Sequence, residues 1–258
     1  VEKAQQHILD GDIFEINLSQ CFSTQVSKHF DDLAFYNILC EKNPALFSGF
    51  LKGDDYALLS MSPERFLRCS SDRKISTYPI KGTAPRFSCT LQDKASADNL
   101  KNSEKDRAEN IMIVDLMRND LARVCEPGSV LTPKVCDLHS FTHVHHLISE
   151  IEGKLREDCT PIEILRTCFP AGSITGAPKI SALHLIAQLE PHARGPYCGS
   201  MGYLSLAGSM DFSVLIRTFT RDQNRLFYGS GGAVTLDSIP SLEYTETLHK
   251  AKTLEALV

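Results

Sequence analysis

Several things are missing from the 258-residue sequence, and each absence excludes something. No apolar run approaches the length of a membrane span, and no amino-terminal stretch resembles a signal peptide. Nine cysteines occur without a single CxxC pair, which reads as reduced thiols of a cytoplasmic protein rather than a disulfide frame or a zinc site. Basic charge is scarce: 27 lysines and arginines face 32 aspartates and glutamates, giving a formal net charge of −5. Nucleic acid is therefore not the expected partner, and positive potential for an anionic ligand has to be built locally. Repeats, low-complexity tracts and linkers are absent too, so one domain over residues 1–258 is expected. A chain that opens at Val1 rather than Met reads as trimmed or partial.

What is there is ordinary for a folded soluble chain, with 42% hydrophobic and 23% charged residues. In "IFEINLSQCF", Phe14, Ile16, Leu18 and Phe22 share one strand face, and Glu15, Asn17 and Ser19 the other. A short helix is expected near 33–40, then strands near 45–51, 56–61, 66–69 and 74–80. From Ser103 the period becomes helical: Ala108, Ile111, Met112, Val114, Leu121 and Ala122 form the predicted apolar set, with Ser103 and Asp106 as a capping pair. Strands follow near 129–138 and 143–152, and helices near 161–167 and 177–189. Strands near 197–206, 211–219 and 225–229 precede a last helix from Pro240 to Leu257. Strand blocks interrupted by helices, without regular alternation, indicate an α+β fold of mainly antiparallel sheets, packed as a sandwich-like core with helices outside.

Several stretches carry candidate chemistry. "TYPIKGTAPR" enters as a strand and is broken by Pro79 and Gly82 on either side of Lys81, which is either a solvated charge or a nucleophile held at a cleft floor. Glu109 projects away from the Ala108/Ile111 face. Glu243 and Glu246 are spaced i, i+3, and Lys250 sits i+4 from Glu246. These acids are either solvated faces or oxygen ligands of one Mg²⁺, and spacing alone does not choose. "YGSGGAVTLDS" is either an anion-binding turn built on Gly229, Gly231 and Gly232 or a plain hairpin. "AGSITGAPK" lacks the Walker pattern but offers a glycine-rich entry to a helix near Pro178. "HSFTHVHHL" places His143 and His145 on one strand face and His146 on the other, with no accompanying cysteine or carboxylate pattern to make a zinc site. Asp115 reads as a buried carboxylate paired with Arg118 or a backbone donor. Arg217, inside the apolar run "SVLIRTF", reads as an arginine that must meet an anion.

Taken in order, "GDIFEINLSQ", "SPERF", "PIKGTAPR", "SEKDRAENIMIVDLMRNDLARVC", "HLISEIEGKL", "FPAGSITGAPK", "GYLSLAGSMDFSVLIRTF" and "GSGGAVTLDSIPSLEYTETLHKA" resemble the chorismate-utilising enzyme family over nearly the whole chain. Within it, the "PIKGT" lysine is similar to the signature of the aminodeoxychorismate synthase branch, where anthranilate and isochorismate synthases usually carry alanine. Isochorismate-type members instead have a lysine in the early strand motif, where this chain has Glu15.

The resemblance implies a covalent mechanism in which Lys81 attacks carbon 2 of chorismate as the carbon-4 hydroxyl leaves. Ammonia from a glutamine amidotransferase subunit then adds at carbon 4 and expels the lysine. An amine is nucleophilic only when neutral, and a reference pKa of about 10.4 would leave it protonated, so the chemistry calls for a desolvated pocket with cations nearby. By resemblance, Glu64 is the acid that protonates the departing hydroxyl, and Glu109 and Glu246 hold Mg²⁺. Arg217, Lys250, Gly229, Gly231 and Gly232 hold the substrate carboxylates, and His146, Thr175 and Gly176 line the pocket. Two departures stand out: Tyr78, where arginine is frequent, and Glu15, where glutamine is common. The family's long amino-terminal region has no counterpart here. The rival functions are anthranilate synthesis with loss of pyruvate, and a silent module that only binds chorismate or the amidotransferase.

Overall fold

A computed structural model of the chain describes residues 1–142 and 144–252. His143 and the last part of the helix expected to reach Leu257 lie outside the described residues. In chain order the elements are α1 (Glu2–Leu9), β1 (Glu15–Gln25), α2 (Asp32–Lys42), β2 (Phe47–Lys52), β3 (Tyr56–Ser62), β4 (Arg65–Cys69), β5 (Lys74–Thr77), β6 (Ile80–Pro85), α3 (Thr90–Asn102) and α4 (Glu104–Ala122). They continue with β7 (Leu131–Ser140), β8 (Val144–Lys154), α5 (Pro161–Cys168), β9 (Gly176–Ala177), α6 (Lys179–Leu189), β10 (Ser200–Leu204), β11 (Met210–Val214), β12 (Thr218–Asp222), β13 (Arg225–Val234) and α7 (Pro240–Lys250). The paired strands whose registers are known run antiparallel, as the α+β expectation requires.

Backbone contacts divide the chain into two compact units. The first comprises residues 1–64, 174–201 and 213–258, and carries a six-stranded sheet in the order β2-β3-β12-β13-β1-β9. On one face, Phe35 and Leu39 of α2 pack with Leu59, Met61, Phe219 and Tyr228, all nearly or fully buried. A second cluster joins Ala4, Ile13 and Ile16 to Ala182, Leu185 and Ile186 of α6, which explains why the polar-looking α1 forms: its one buried residue, Ala4, closes that cluster. Asp31 caps α2 through the amides of Leu33 and Ala34. Beside it, Asp32 forms a buried ion pair with Arg221 of β12.

The second unit, residues 65–173 and 202–212, holds β4, β5, β8 and β6 in sequence, with β7 on the other edge of β8. β5 pairs with the far end of β8 (Lys74↔Lys154 to Thr77↔Ile151), and β6 pairs with its near end (Ile80↔Ile148 to Pro85↔Val144). The expected single strand over 74–80 is thus two strands, because Pro79 cannot donate to the ladder. α4 packs on β8, and Ser103 caps it by accepting from Asp106, as read from the sequence.

The inward face of α4 differs from the predicted one. Asn110, Ile113, Val114, Met117, Asp120 and Leu121 are buried, whereas Ala108, Ile111 and Ala122 are exposed. Asn110 misled the reading: its side chain donates to the Leu147 carbonyl and accepts from Ser149, so a polar residue fills a core position. Asp115 is correspondingly on the outside, not buried, although it does pair with Arg118 at 3.1 Å. α3 was not foreseen. Its sequence is polar nearly all round with only Leu100 buried, and tertiary bonds hold it: Arg86 and the Phe87 amide bind Asp93, which also meets the His145 ring.

Candidate active site

Lys81 sits where the β6–β8 pairing shifts register. The ladder pairs Ile80 with Ile148 and resumes at Thr83 with His146, leaving Lys81 and Gly82 in a bulge. A bulge re-aims the side chain it carries and releases it from the alternation of the strand. Gly82 makes it possible with φ +85°, a backbone conformation that costs other residues energy. His146 lies beside the bulge, buried, with its Nδ1 2.9 Å from Thr83 Oγ1 and its ring near Phe141. Glu109, on α4 in the same unit, has a side chain only 15% exposed, and Lys105 is 3.9 Å away. Tyr78, one of the departures, stacks under the Arg65 guanidinium and donates to Glu150. Arg65 is itself fixed by both carboxylate oxygens of Asp211, so this tyrosine is part of a structural ion network.

The remaining candidates belong to the first unit. Glu64 is buried in the turn after β3. Its amide donates to Ser62 Oγ, and its carbonyl accepts from the Val214 amide at 3.1 Å. Thr175 is fully buried, and its carbonyl accepts from the Asn17 amide at 2.7 Å. Gly176 follows at φ +142°, so close to β1 that a Cβ would lie 2.2 Å from the Glu15 carbonyl oxygen. No side chain fits there. Glu15 itself is fully buried.

The glycine stretch is neither the turn nor the hairpin proposed from sequence. Gly229, Gly231 and Gly232 lie within β13, paired with Cys21, Ser19 and Leu18 of β1. A hairpin turn reverses the chain, whereas here β13 continues as a strand and its glycines leave room for close neighbours. The ring of Tyr197 lies against Gly229, and the carboxylates of Glu243 and Glu246 approach Gly232. Lys250 pairs with Glu246 at 2.6 Å and donates to the Gly231 carbonyl at 3.1 Å. The structure therefore brings Gly231, Gly232, Glu246 and Lys250 together, and adds Glu243, which is buried and bonded to Ser238 Oγ.

Arg217 needs a correction as well. It is not inside a strand but in the bend between β11 and β12, exposed, at φ +50°. An exposed guanidinium is solvated, so burial does not oblige it to meet an internal carboxylate.

Sequence reasoning missed Tyr197 and its surroundings. Burial pushes the Tyr197 hydroxyl well above its usual pKa and the neighbouring Cys198 thiol up to about 11. The segment 190–197 also walls a cavity of about 360 Å³ together with Ser19, Cys21, Thr218, Thr220, Phe227 and Gly229. The signal was present in "RGPYCGS", where glycine and proline bracket one aromatic.

Among the described residues, no group of three or more His, Cys, Asp or Glu side chains could hold a metal ion. His145 spends its ring nitrogens on Ser140 and Asp93 instead. Glu109 and Glu246 offer hard carboxylate oxygens, the donor type Mg²⁺ takes, and that ion needs few protein ligands because it keeps its waters.

The profile of the chorismate binding enzyme family matches residues 1–256. The chain belongs to that family. It is 46% identical over 248 residues to the aminodeoxychorismate synthase component 1 of Salmonella typhimurium, covering 96% of this chain and 54% of that protein. It is 40% identical over 254 residues to the anthranilate synthase component 1 of Thermus thermophilus, covering 98% of this chain and 54% of that protein. Among solved structures, anthranilate synthase component I from Streptococcus pneumoniae superimposes with a TM-score of 0.88 at 37% identity, over 97% of this chain and 55% of that one. The chain thus spans about half the length of the curated relatives it matches, and the chorismate binding enzyme fold is the fold described above.

Proposed function

We propose that the chain is the catalytic portion of an aminodeoxychorismate synthase component I. It aminates chorismate to 4-amino-4-deoxychorismate, with ammonia supplied by a glutamine amidotransferase subunit. The observation that carries this reading is Lys81 in the β6 bulge, a lysine aimed by a break in the ladder rather than left on a regular strand face. Relatives named aminodeoxychorismate synthase component 1, at 45–46% identity, support it.

In this reading the Lys81 amine adds to carbon 2 of the ring while both ring double bonds shift and the carbon-4 hydroxyl departs. Glu64 gives that hydroxyl its proton, so it leaves as water. Ammonia adds at carbon 4, both double bonds shift back, the lysine nitrogen leaves carbon 2 in its protonated form as a neutral amine, and the new carbon-4 ammonium loses its extra proton. Arg217, Lys250 and the β13 glycines receive the substrate carboxylates, and Thr175, Gly176 and His146 line the pocket. Glu109 and Glu246 would hold Mg²⁺, which when bound neutralises the ring carboxylate. Lys250, already paired to Glu246, keeps positive charge at the same end of β13. The nine cysteines are all free thiols, which supports a cytoplasmic location.

Incubation with chorismate, an ammonium salt and Mg²⁺, followed by product identification, tests the reading. The expected product is 4-amino-4-deoxychorismate without pyruvate. Anthranilate with pyruvate would favour the reaction named for the Thermus relative. Chorismate binding without turnover would mark a binding module.

A further inference from the structure

We propose that Arg194 and Glu190 form a positioning clamp that holds Thr175 and Gly176 in register with β1. This rests on the reading above, in which Thr175 and Gly176 line the chorismate pocket. The pairing between β1 and β9 is very short: Glu15↔Ala177 and Ile16↔Gly176. It is extended by Phe14 N donating to the Ala177 carbonyl and Asn17 N to the Thr175 carbonyl, each at 2.7 Å. β9 itself spans only two residues. A two-residue strand is far below the length at which pairing holds itself.

The guanidinium of Arg194 supplies the next rung. Its Nη1 donates to the Ile174 carbonyl at 2.9 Å, and its Nη2 to the Asn17 carbonyl at 2.7 Å. One planar group thus bridges the residue before Thr175 and the strand that Thr175 pairs with. Two backbone acceptors facing each other cannot bond directly, and a fork of donors is what joins them. The other side of the fork is fixed by Glu190, through Nε to Oε2 at 2.9 Å and Nη2 to Oε1 at 2.6 Å. Glu190 Oε1 accepts in turn from the amide and hydroxyl of Ser19, both at 2.8 Å, so the carboxylate is anchored to β1 two residues past Asn17. Both side chains are largely shielded from solvent, 14% and 6% exposed. Burial works against the charge on Arg194, and the Glu190 carboxylate more than offsets this, raising its pKa above the ordinary arginine value.

The test uses Arg194→Lys and the double variant Arg194→Met/Glu190→Met. The first keeps charge but loses the fork. The second removes both ions, so no lone buried carboxylate is left to unfold the chain. Two readouts are taken. Amide hydrogen exchange is compared at Asn17 and across 174–177 against the β3–β12 pairs of the same unit. Steady-state kinetics separate kcat from the KM for chorismate and for ammonium. The expected result is exchange at least tenfold faster at Asn17 and 174–177, with the β3–β12 amides unchanged. kcat should fall tenfold or more in both variants, while the KM for ammonium is unmoved. Parent-like exchange at 174–177, or acceleration equal across the unit, would overturn the clamp. So would full kcat in the double variant. If the parent aminates nothing, the functional reading fails while the exchange comparison still decides whether the clamp exists.

Discussion

Asp93 is a single carboxylate on which the second unit fastens α3. It accepts from Arg86 Nε and the Phe87 amide and meets His145 Nε2 at 3.1 Å. The Arg86 bond, then the Phe87 amide, hold its pKa well below the usual carboxylate range. A carboxyl whose folded pKa is depressed contributes stability above its unfolded pKa of about 3.9 and loses it as pH falls toward the folded value. Asp93→Asn should therefore lower the thermal midpoint at pH 7, and the gap from the parent should close as pH drops below about 4. Midpoints that stay equally far apart from pH 7 to pH 3 would contradict this assignment. At the same scale, Asp115 and Arg217 show what a sequence hides. Both were placed by the apolar character of their neighbours, yet the decisive facts were the polar Asn110 filling the core of α4 and the bend that breaks the strand at Arg217.

Elements with a clean period were legible. β1, α4 with its Ser103 cap, α5 and the start of α7 fall where alternation, capping and proline put them. α3 was not, because a helix without an apolar stripe carries no periodic signal. The first half of β13 was read as a strand, but its glycine stretch was read as a turn or hairpin since glycine is the usual mark of one, and only pairing with β1 along its length makes a strand of "YGSGG". The β6 bulge was half legible: Pro79 and Gly82 announced a break, but not the register shift between Ile80 and Thr83. Gly82→Ala tests that device. Forcing alanine into the positive-φ conformation costs about 1–2 kcal/mol, and its Cβ would crowd Leu100 and Asp106 at 3.1 Å. The expected outcome is a stability loss of that order in denaturant titration together with a kcat reduced about tenfold or more, because each 1.4 kcal/mol of transition-state misalignment is a factor of ten. Unchanged kcat with reduced stability would mean that the bulge serves the fold and not the lysine.

Across the whole molecule, the candidate residues are drawn from both compact units. Lys81, Glu109 and His146 come from the second; Glu64, Thr175, Gly176, Arg217, the β13 glycines, Glu246 and Lys250 come from the first. Family membership was legible because ordered motifs run the length of the chain, and the profile match over 1–256 agrees. The Arg194 clamp was not legible, because its bonds run to backbone carbonyls brought near only by folding. The central claim is that Lys81 is a covalent nucleophile. Mass spectrometry of the chain quenched after incubation with chorismate and Mg²⁺, ammonia withheld, tests it directly, with Lys81→Ala as the control. The account predicts a peptide containing Lys81 heavier by chorismate less one water, discharged when ammonium is added, and absent from a variant whose amination is slower by orders of magnitude. An unmodified Lys81 in a turning-over parent, together with full amination by Lys81→Ala, would contradict it.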